Sequence, residues 1–385
     1  MGLAAEPASS NDDKTPLLLS HPLKRTGTAW TAVTHIVTGV IGSGVLSLAW
    51  SIGQLGWIAG PFSILHIASF TLISSFLLSN TYRSPHPQFG PHRSASYLDA
   101  NGRLCGLLVN ISLYGFGIAY VITSAISIRT ILVSIYYHTN EEEVACEFVD
   151  AYYMLIFGAI QVVLSQIPNF HNIEWLSVVA AIMSFAYSFI GMALSILQIK
   201  GSRSRTEKLW LVAQALGDIS YSYPFSTILL EIQDTLKSPP PENQTMKKAS
   251  VISVAITTFF YLGCGGAGYA AFGNDTPGNL LTGFGSSKYY WLVNFVNVCI
   301  VVHLVGAYQV YSQPLFAIVE NWFRFQYPDS EFIFGVLESL IFWPLTIYFP
   351  SAKWIMLRSL SILGFVFGLF TLIGSIQGIV TQKLS

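Results

Sequence analysis

Gly39-Val40-Ile41-Gly42-Ser43-Gly44-Val45-Leu46-Ser47 interrupts the first long apolar run of the chain, residues 28–55. The run is long enough to cross a bilayer as a helix. It nevertheless places three glycines within six residues, and each is unfavourable inside a helix. Hydrocarbon offers no water to the N–H and C=O groups freed in this way. They must be satisfied by protein, by a water-filled cavity or by a ligand. A spanning helix broken at mid-depth is therefore a candidate binding site.

The rest of the chain supplies the membrane setting. Of 385 residues, 52% are hydrophobic and 10% charged, against about 25% charged in soluble domains. Ten apolar segments are long enough to span, at roughly 28–55, 57–81, 104–137, 151–168, 173–199, 209–234, 249–272, 289–320, 332–349 and 357–380. The class is all-α and polytopic, and the lipid bilayer is its surrounding. Residues 1–27 are polar and read as a disordered cytosolic tail, leaving 28–381 as the membrane domain. A net charge of −1 points to no nucleic acid. The four cysteines, Cys105, Cys146, Cys264 and Cys299, show neither a disulfide framework nor zinc spacing, and no cofactor is expected. There is no Walker motif, no GxSxG and no HExxH, so the chain encodes no ATPase and does not read as an enzyme.

A second interruption lies in the sixth segment, at Leu216-Gly217-Asp218-Ile219-Ser220-Tyr221-Ser222-Tyr223-Pro224-Phe225-Ser226. Pro224 removes a backbone donor and clashes with the carbonyl four residues back. Breaks in segments one and six, five helices apart, are the layout of two inverted five-helix repeats with a site at their interface. Glycines that permit close helix packing, with a kink at Pro224, are the plainer reading. Connection charges favour a cytosolic N-terminus. Arg83, Arg93 and Arg103 would lie inside, as would Lys237, Lys247 and Lys248, while Glu141, Glu142, Glu143, Glu147 and Asp150 would lie outside. Lys200, Arg203, Arg205 and Lys208 dissent.

Five polar residues inside the spans invite roles. His35 and His303 either titrate or pack as neutral, satisfied imidazoles. Arg129 meets an anion or snorkels to the outer interface. Asp218, beside the second break, is the best candidate for ion coupling, and Glu338 is a further acid without an assigned role.

Longer runs then become recognisable. Thr28-Ala29-Trp30-Thr31-Ala32-Val33 with His35 and Gly53-Gln54-Leu55-Gly56-Trp57-Ile58-Ala59-Gly60-Pro61 closely resemble the opening of plant amino acid permeases, in the amino acid/auxin permease family. Ser165 through His171, Glu231 through Pro240, Gly268 through Gly273, Val310 through Pro314 and Phe342 through Pro350 resemble the same family. The resemblance implies a plasma-membrane, multi-pass symporter that moves amino acids with protons. It implies that Ile41, Gly42, Ser43, Gly44, Ser222 and Tyr223 line the substrate site. It implies transport roles for His35, Arg129, Asp218 and His303. Against the family's usual eleven spans, the Phe342-Trp343-Pro344-Leu345 motif follows Tyr327-Pro328-Asp329 almost at once, so one helix looks absent from the second repeat. The alternative reading is a shortened, non-transporting membrane protein that associates with a full-length permease.

Overall fold

The structure is a computed structural model, and it describes residues 25–139, 150–165, 173–198, 209–284 and 289–326. The last two apolar segments, Glu338, Cys146, the tail to residue 24 and the stretch where a helix looks absent lie outside the described residues.

Nine helices are present among the described residues: α1 Ala29–Val40, α2 Leu48–Ser79, α3 Tyr97–Thr139, α4 Asp150–Leu164, α5 Glu174–Leu197, α6 Leu209–Tyr221, α7 Leu229–Asp234, α8 Glu242–Phe272 and α9 Tyr290–Gln326. Five of the helical stretches among these residues are apolar and long enough to cross a membrane. The broken first and sixth segments are not among those five as whole spans, because their breaks divide them into shorter helices. Local chemistry sets the ends. Thr28 and Thr31 form a reciprocal capping box at the start of α1. Asp150, Glu174 and Glu242 place negative charge in first turns, where the helix dipole favours it. Gly56, at φ 80 and ψ 175, bends α2 sharply between its first two turns and the long span that follows. That conformation is essentially restricted to glycine, and it falls at the boundary expected between segments one and two. Segment three begins earlier than expected, at Tyr97 rather than near 104. Its polar start continues the helix beyond the apolar stretch.

α8 lies along α2, while α9 lies along α5 and α3. Small residues permit the close approaches. A Cβ on Gly306 of α9 would sit 2.7 Å from the Ala180 Cβ and 3.0 Å from the Leu176 carbonyl oxygen of α5. Backbone cannot yield as a flexible side chain can. Gly306→Leu is therefore expected to cost about 1–3 kcal/mol through overpacking, read as a lower melting temperature of the purified protein in detergent. Trp30, Ile58, Phe62 and Val163 point outward, giving a surface suited to hydrocarbon.

One end of the bundle is held by ions. Asp234, closing α7, accepts from Arg25 at 2.8 Å and from the Tyr82 hydroxyl at 2.6 Å. Burial, with the Asp234 carboxylate behind it, pushes the Tyr82 phenol above its ordinary pKa, so it remains a donor. Gly27 pairs with Leu236 in a parallel bridge. Residues 25–27, placed in the tail on sequence grounds, are thus bonded to the end of the sixth segment. Glu242 accepts from Arg83 at 2.9 and 2.6 Å and from Arg93 at 3.1 Å. These contacts bring the chain before α1, the α2–α3 connection and the α7–α8 connection to a common end.

Candidate functional site

Both breaks are real, and they have matching anatomy. α1 stops at Val40, Gly42 is extended, and a short 3-10 turn (Ser43–Leu46) leads into α2. α6 stops at Tyr221, Tyr223 leaves the helical region, and a 3-10 turn (Pro224–Ile228) leads into α7. Each segment therefore runs as helix, two-residue gap, tight turn and helix.

The carbonyls freed at the end of α1 are met by hydroxyls from three neighbouring helices. Tyr311 of α9 donates to Gly39 at 3.0 Å. Tyr261 of α8 reaches Val40. Ser184 and Tyr187 of α5 donate to Ile41 at 2.9 and 2.6 Å. Each such bond contributes about 1 kcal/mol net, and an orphaned carbonyl in a dry bundle costs several times that. The N–H side of the break is different. Among the described residues, no acceptor meets the N–H of Ser43 or Gly44. Gly44 is exposed, and a Cβ built on it would find nothing within 4 Å. Two backbone donors without an acceptor among the described residues thus stand at the positive start of a half-helix, beside open space at Gly44. The arrangement suits an anion.

His303 of α9 packs beside the break at Gly42. Its imidazole is fully buried. Nδ1 is 2.8 Å from the Ser184 hydroxyl and 3.1 Å from the Ala180 carbonyl oxygen. Nε2 has no partner among the described residues and lies 4.0 Å from where a side chain on Gly42 would begin. At the second break, the Tyr223 hydroxyl is 2.8 Å from Thr258, and the Ser222 hydroxyl donates back to the Asp218 carbonyl at 2.8 Å. Asp218 is half-buried one turn before the gap. Phe116 of α3 stacks against Tyr221 at 5.0 Å and lies 4.7 Å from the Tyr311 ring, so an aromatic wall adjoins both breaks.

The residues expected on sequence grounds divide into two groups. Ile41, Gly42, Ser43, Gly44 and His303 gather at the first break. Ser222 and Tyr223 form the second, with Asp218 a turn away. His35 and Arg129 do not join them. The His35 ring is buried between α1 and α5, with Nδ1 2.8 Å from the Ser177 hydroxyl. Arg129 is 46% exposed and pairs with Asp150 of α4 at 3.3 Å. Sequence reading missed Tyr187, Tyr261, Tyr311 and Ser184. The available signal was a hydroxyl in mid-span, which must find a partner when buried.

Comparison with known proteins bears on this geometry. The family described as transmembrane amino acid transporter protein matches residues 25–379. "Probable amino acid permease 7" of Arabidopsis thaliana is 47% identical, covering 93% of this chain and 94% of the relative. "Amino acid permease 2" of the same plant is 42% identical, covering 93% and 88%. The first alignment runs over 440 positions, more than the 385 residues of this chain, so that relative carries internal stretches absent here. Among solved structures, the inward-facing conformation of Mhp1 aligns with a TM-score of 0.57 at 13% identity, covering 88% of this chain and 75% of that one. MhsT in complex with L-phenylalanine aligns with a TM-score of 0.53 at 12% identity, covering 90% and 87%. These two likenesses concern the fold. Matched along nearly its whole length and broken twice at mid-span, this chain belongs to the transmembrane amino acid transporter family, a family of membrane carriers and not of enzymes, beside the plant amino acid permeases.

Proposed function

We propose that the chain is a secondary-active amino acid permease that brings amino acids through the plasma membrane together with protons, its N-terminus in the cytosol. The single observation that carries this reading is the unmet pair of N–H groups at Ser43 and Gly44, next to open space at Gly44 and to hydroxyl-capped carbonyls. A free amino acid is a zwitterion. Its carboxylate fits the positive start of the half-helix, and its ammonium fits carbonyls at the negative end of the preceding one. The matched breaks of α1 and α6 favour two inverted repeats that rock about this site. Proton coupling is assigned to Asp218, whose carboxyl can change protonation as access alternates. His303 sits at the substrate opening, whereas His35 and Arg129 take packing and ion-pair roles.

The test is uptake of labelled amino acids by a transport-deficient cell, with and without an imposed proton gradient. Accumulation that follows the gradient is expected, and accumulation indifferent to pH and to uncouplers would dismiss proton coupling. Asp218→Asn is expected to abolish accumulation while the protein still reaches the surface. Normal accumulation in that variant would clear Asp218 of the role.

The 440-position alignment also favours a second reading. Internal stretches present in the permeases and absent here are what a non-transporting partner of a full-length permease would show. Surface delivery with no uptake, together with co-purification of a complete permease, would establish it.

A further inference from the structure

His303 carries a buried nitrogen with nothing to bond. Its side chain is 0% exposed, and its ring meets the Tyr187 ring edge-on at 5.7 Å. Nε2 has no partner among the described residues. Either tautomer of a neutral imidazole leaves it unmet, as a donor with its hydrogen or as an acceptor without it. Buried polar groups rarely stay unpaired.

The other ring nitrogen decides between the two. Nδ1 lies 3.1 Å from the Ala180 carbonyl oxygen and 2.8 Å from the Ser184 hydroxyl. A carbonyl only accepts, so a bare Nδ1 would set two lone pairs against each other. A hydroxyl takes either role, and that of Ser184 can give its hydrogen to the Ile41 carbonyl at 2.9 Å. The bonding network therefore assigns the imidazole hydrogen to Nδ1. Burial without a carboxylate among its bonded partners keeps the ring neutral. Nε2 is then a bare acceptor, which repels a carboxylate and attracts a cationic donor.

Room for such a donor adjoins it. Gly42 is half-buried, and a Cβ built on it would come within 4 Å of one atom outside its chain neighbours, this Nε2 at 4.0 Å. The Gly42 backbone, at φ −92 and ψ −176, is open to any residue. What the glycine supplies is the gap in front of the imidazole. The Ser184 hydroxyl touches both Nδ1 and the Ile41 carbonyl, which places the ring at the carbonyl end of α1, where the helix dipole also favours a cation.

We infer that His303 binds the α-ammonium of the transported amino acid, its Nε2 accepting one of the three ammonium hydrogens through the gap beside Gly42. This rests on the amino acid reading given above. The imidazole reads the amine, while the N–H groups of Ser43 and Gly44 read the carboxylate.

The experiment compares uptake kinetics of wild type, His303→Asn and His303→Gln, normalised to surface protein. Asparagine keeps a donor near the Nδ1 position and removes the ε nitrogen, whereas glutamine carries an oxygen acceptor out to it. KM is expected to rise about tenfold or more in His303→Asn, the loss of one hydrogen bond to a charged group. The maximal rate should fall by less than KM rises, and His303→Gln should recover most of the KM. Inhibition by the deaminated analogue, a carboxylate without the ammonium, should keep its wild-type constant in both variants. An unchanged KM in His303→Asn overturns the inference, and it is the result expected if water holds Nε2 in the loaded carrier. An equal loss for the deaminated analogue also overturns it, since the ring would then meet the carboxylate. If His303→Asn fails to reach the surface, Gly42→Ala decides: its methyl enters the gap before Nε2, the same rise in KM is expected, and an unmoved KM rejects the proposal. Wild-type protein that takes up no amino acid overturns the permease reading itself, whereas active wild type with an unmoved KM in these variants removes only this inference.

Discussion

Gly44→Phe is expected to reduce amino acid uptake to background while leaving the protein folded and at the cell surface. The reason is spatial. A Cβ on Gly44 meets no atom within 4 Å, and its backbone lies in a 3-10 turn that other residues can adopt. A benzyl group there enters the open space next to the Ser43 and Gly44 N–H groups, and its Cβ displaces no neighbouring atom. Stability should change by no more than about 0.5 kcal/mol, as for a substitution outside packed features. Gly44→Ala should keep much of the uptake, since a methyl leaves most of the space free. Gly306→Leu is the contrasting case, where the added atoms meet backbone and the loss is one of folding. Measured together, surface labelling and uptake separate the two. Full uptake by Gly44→Phe would place the substrate elsewhere.

Glu242→Ala is expected to have the largest effect on folding. The Glu242 side chain is 0% exposed and binds two guanidiniums, Arg83 and Arg93. Arg83 is itself only 11% exposed, and its other bond is to the Gly90 carbonyl at 2.9 Å. Removing the carboxylate leaves a cation with little water and no counter-charge, a loss of about 3 kcal/mol or more. The connection between α2 and α3 would lose its anchor to the start of α8. The expected result is little mature protein at the surface and a markedly lower melting temperature for what is recovered. Near-normal melting of Glu242→Ala would show that this ion cluster is a solvated surface feature. Glu242→Asp should fall between the two, because it keeps the charge but shortens the reach.

The breaks were legible because glycine and proline act through the backbone, which needs no knowledge of neighbours. Gly42, Gly44 and Pro224 mark the gaps, and Gly56 marks the turn between the first and second segments. Among the described residues the span limits followed from apolar length, except at α3 and α8, where polar residues before 104 and before 249 resembled loops yet continue the helices. What surrounds the breaks was not legible. Which of two buried histidines turns its ring toward Gly42 depends on helix rotation about its axis. His35 faces Ser177 of α5, while the Nε2 of His303 faces Gly42. Arg129 could be given an anion from sequence, but not the one it has, because Asp150 follows a connection of no fixed geometry. The tyrosines that cap α1 counted as apolar residues in the span assignment. Their hydroxyls matter only once α5, α8 and α9 are seen to surround the first break.

The central claim is that the opening at Gly44 is where the amino acid's carboxylate sits. Its most direct test is Gly44→Cys in a background with the native cysteines replaced, treated with a membrane-impermeant thiol reagent in the presence and absence of substrate. The account predicts modification that stops uptake, and protection by transported amino acids at concentrations near their KM but not by amines lacking a carboxylate. Modification at an equal rate with and without saturating amino acid, in protein that still transports, would contradict it.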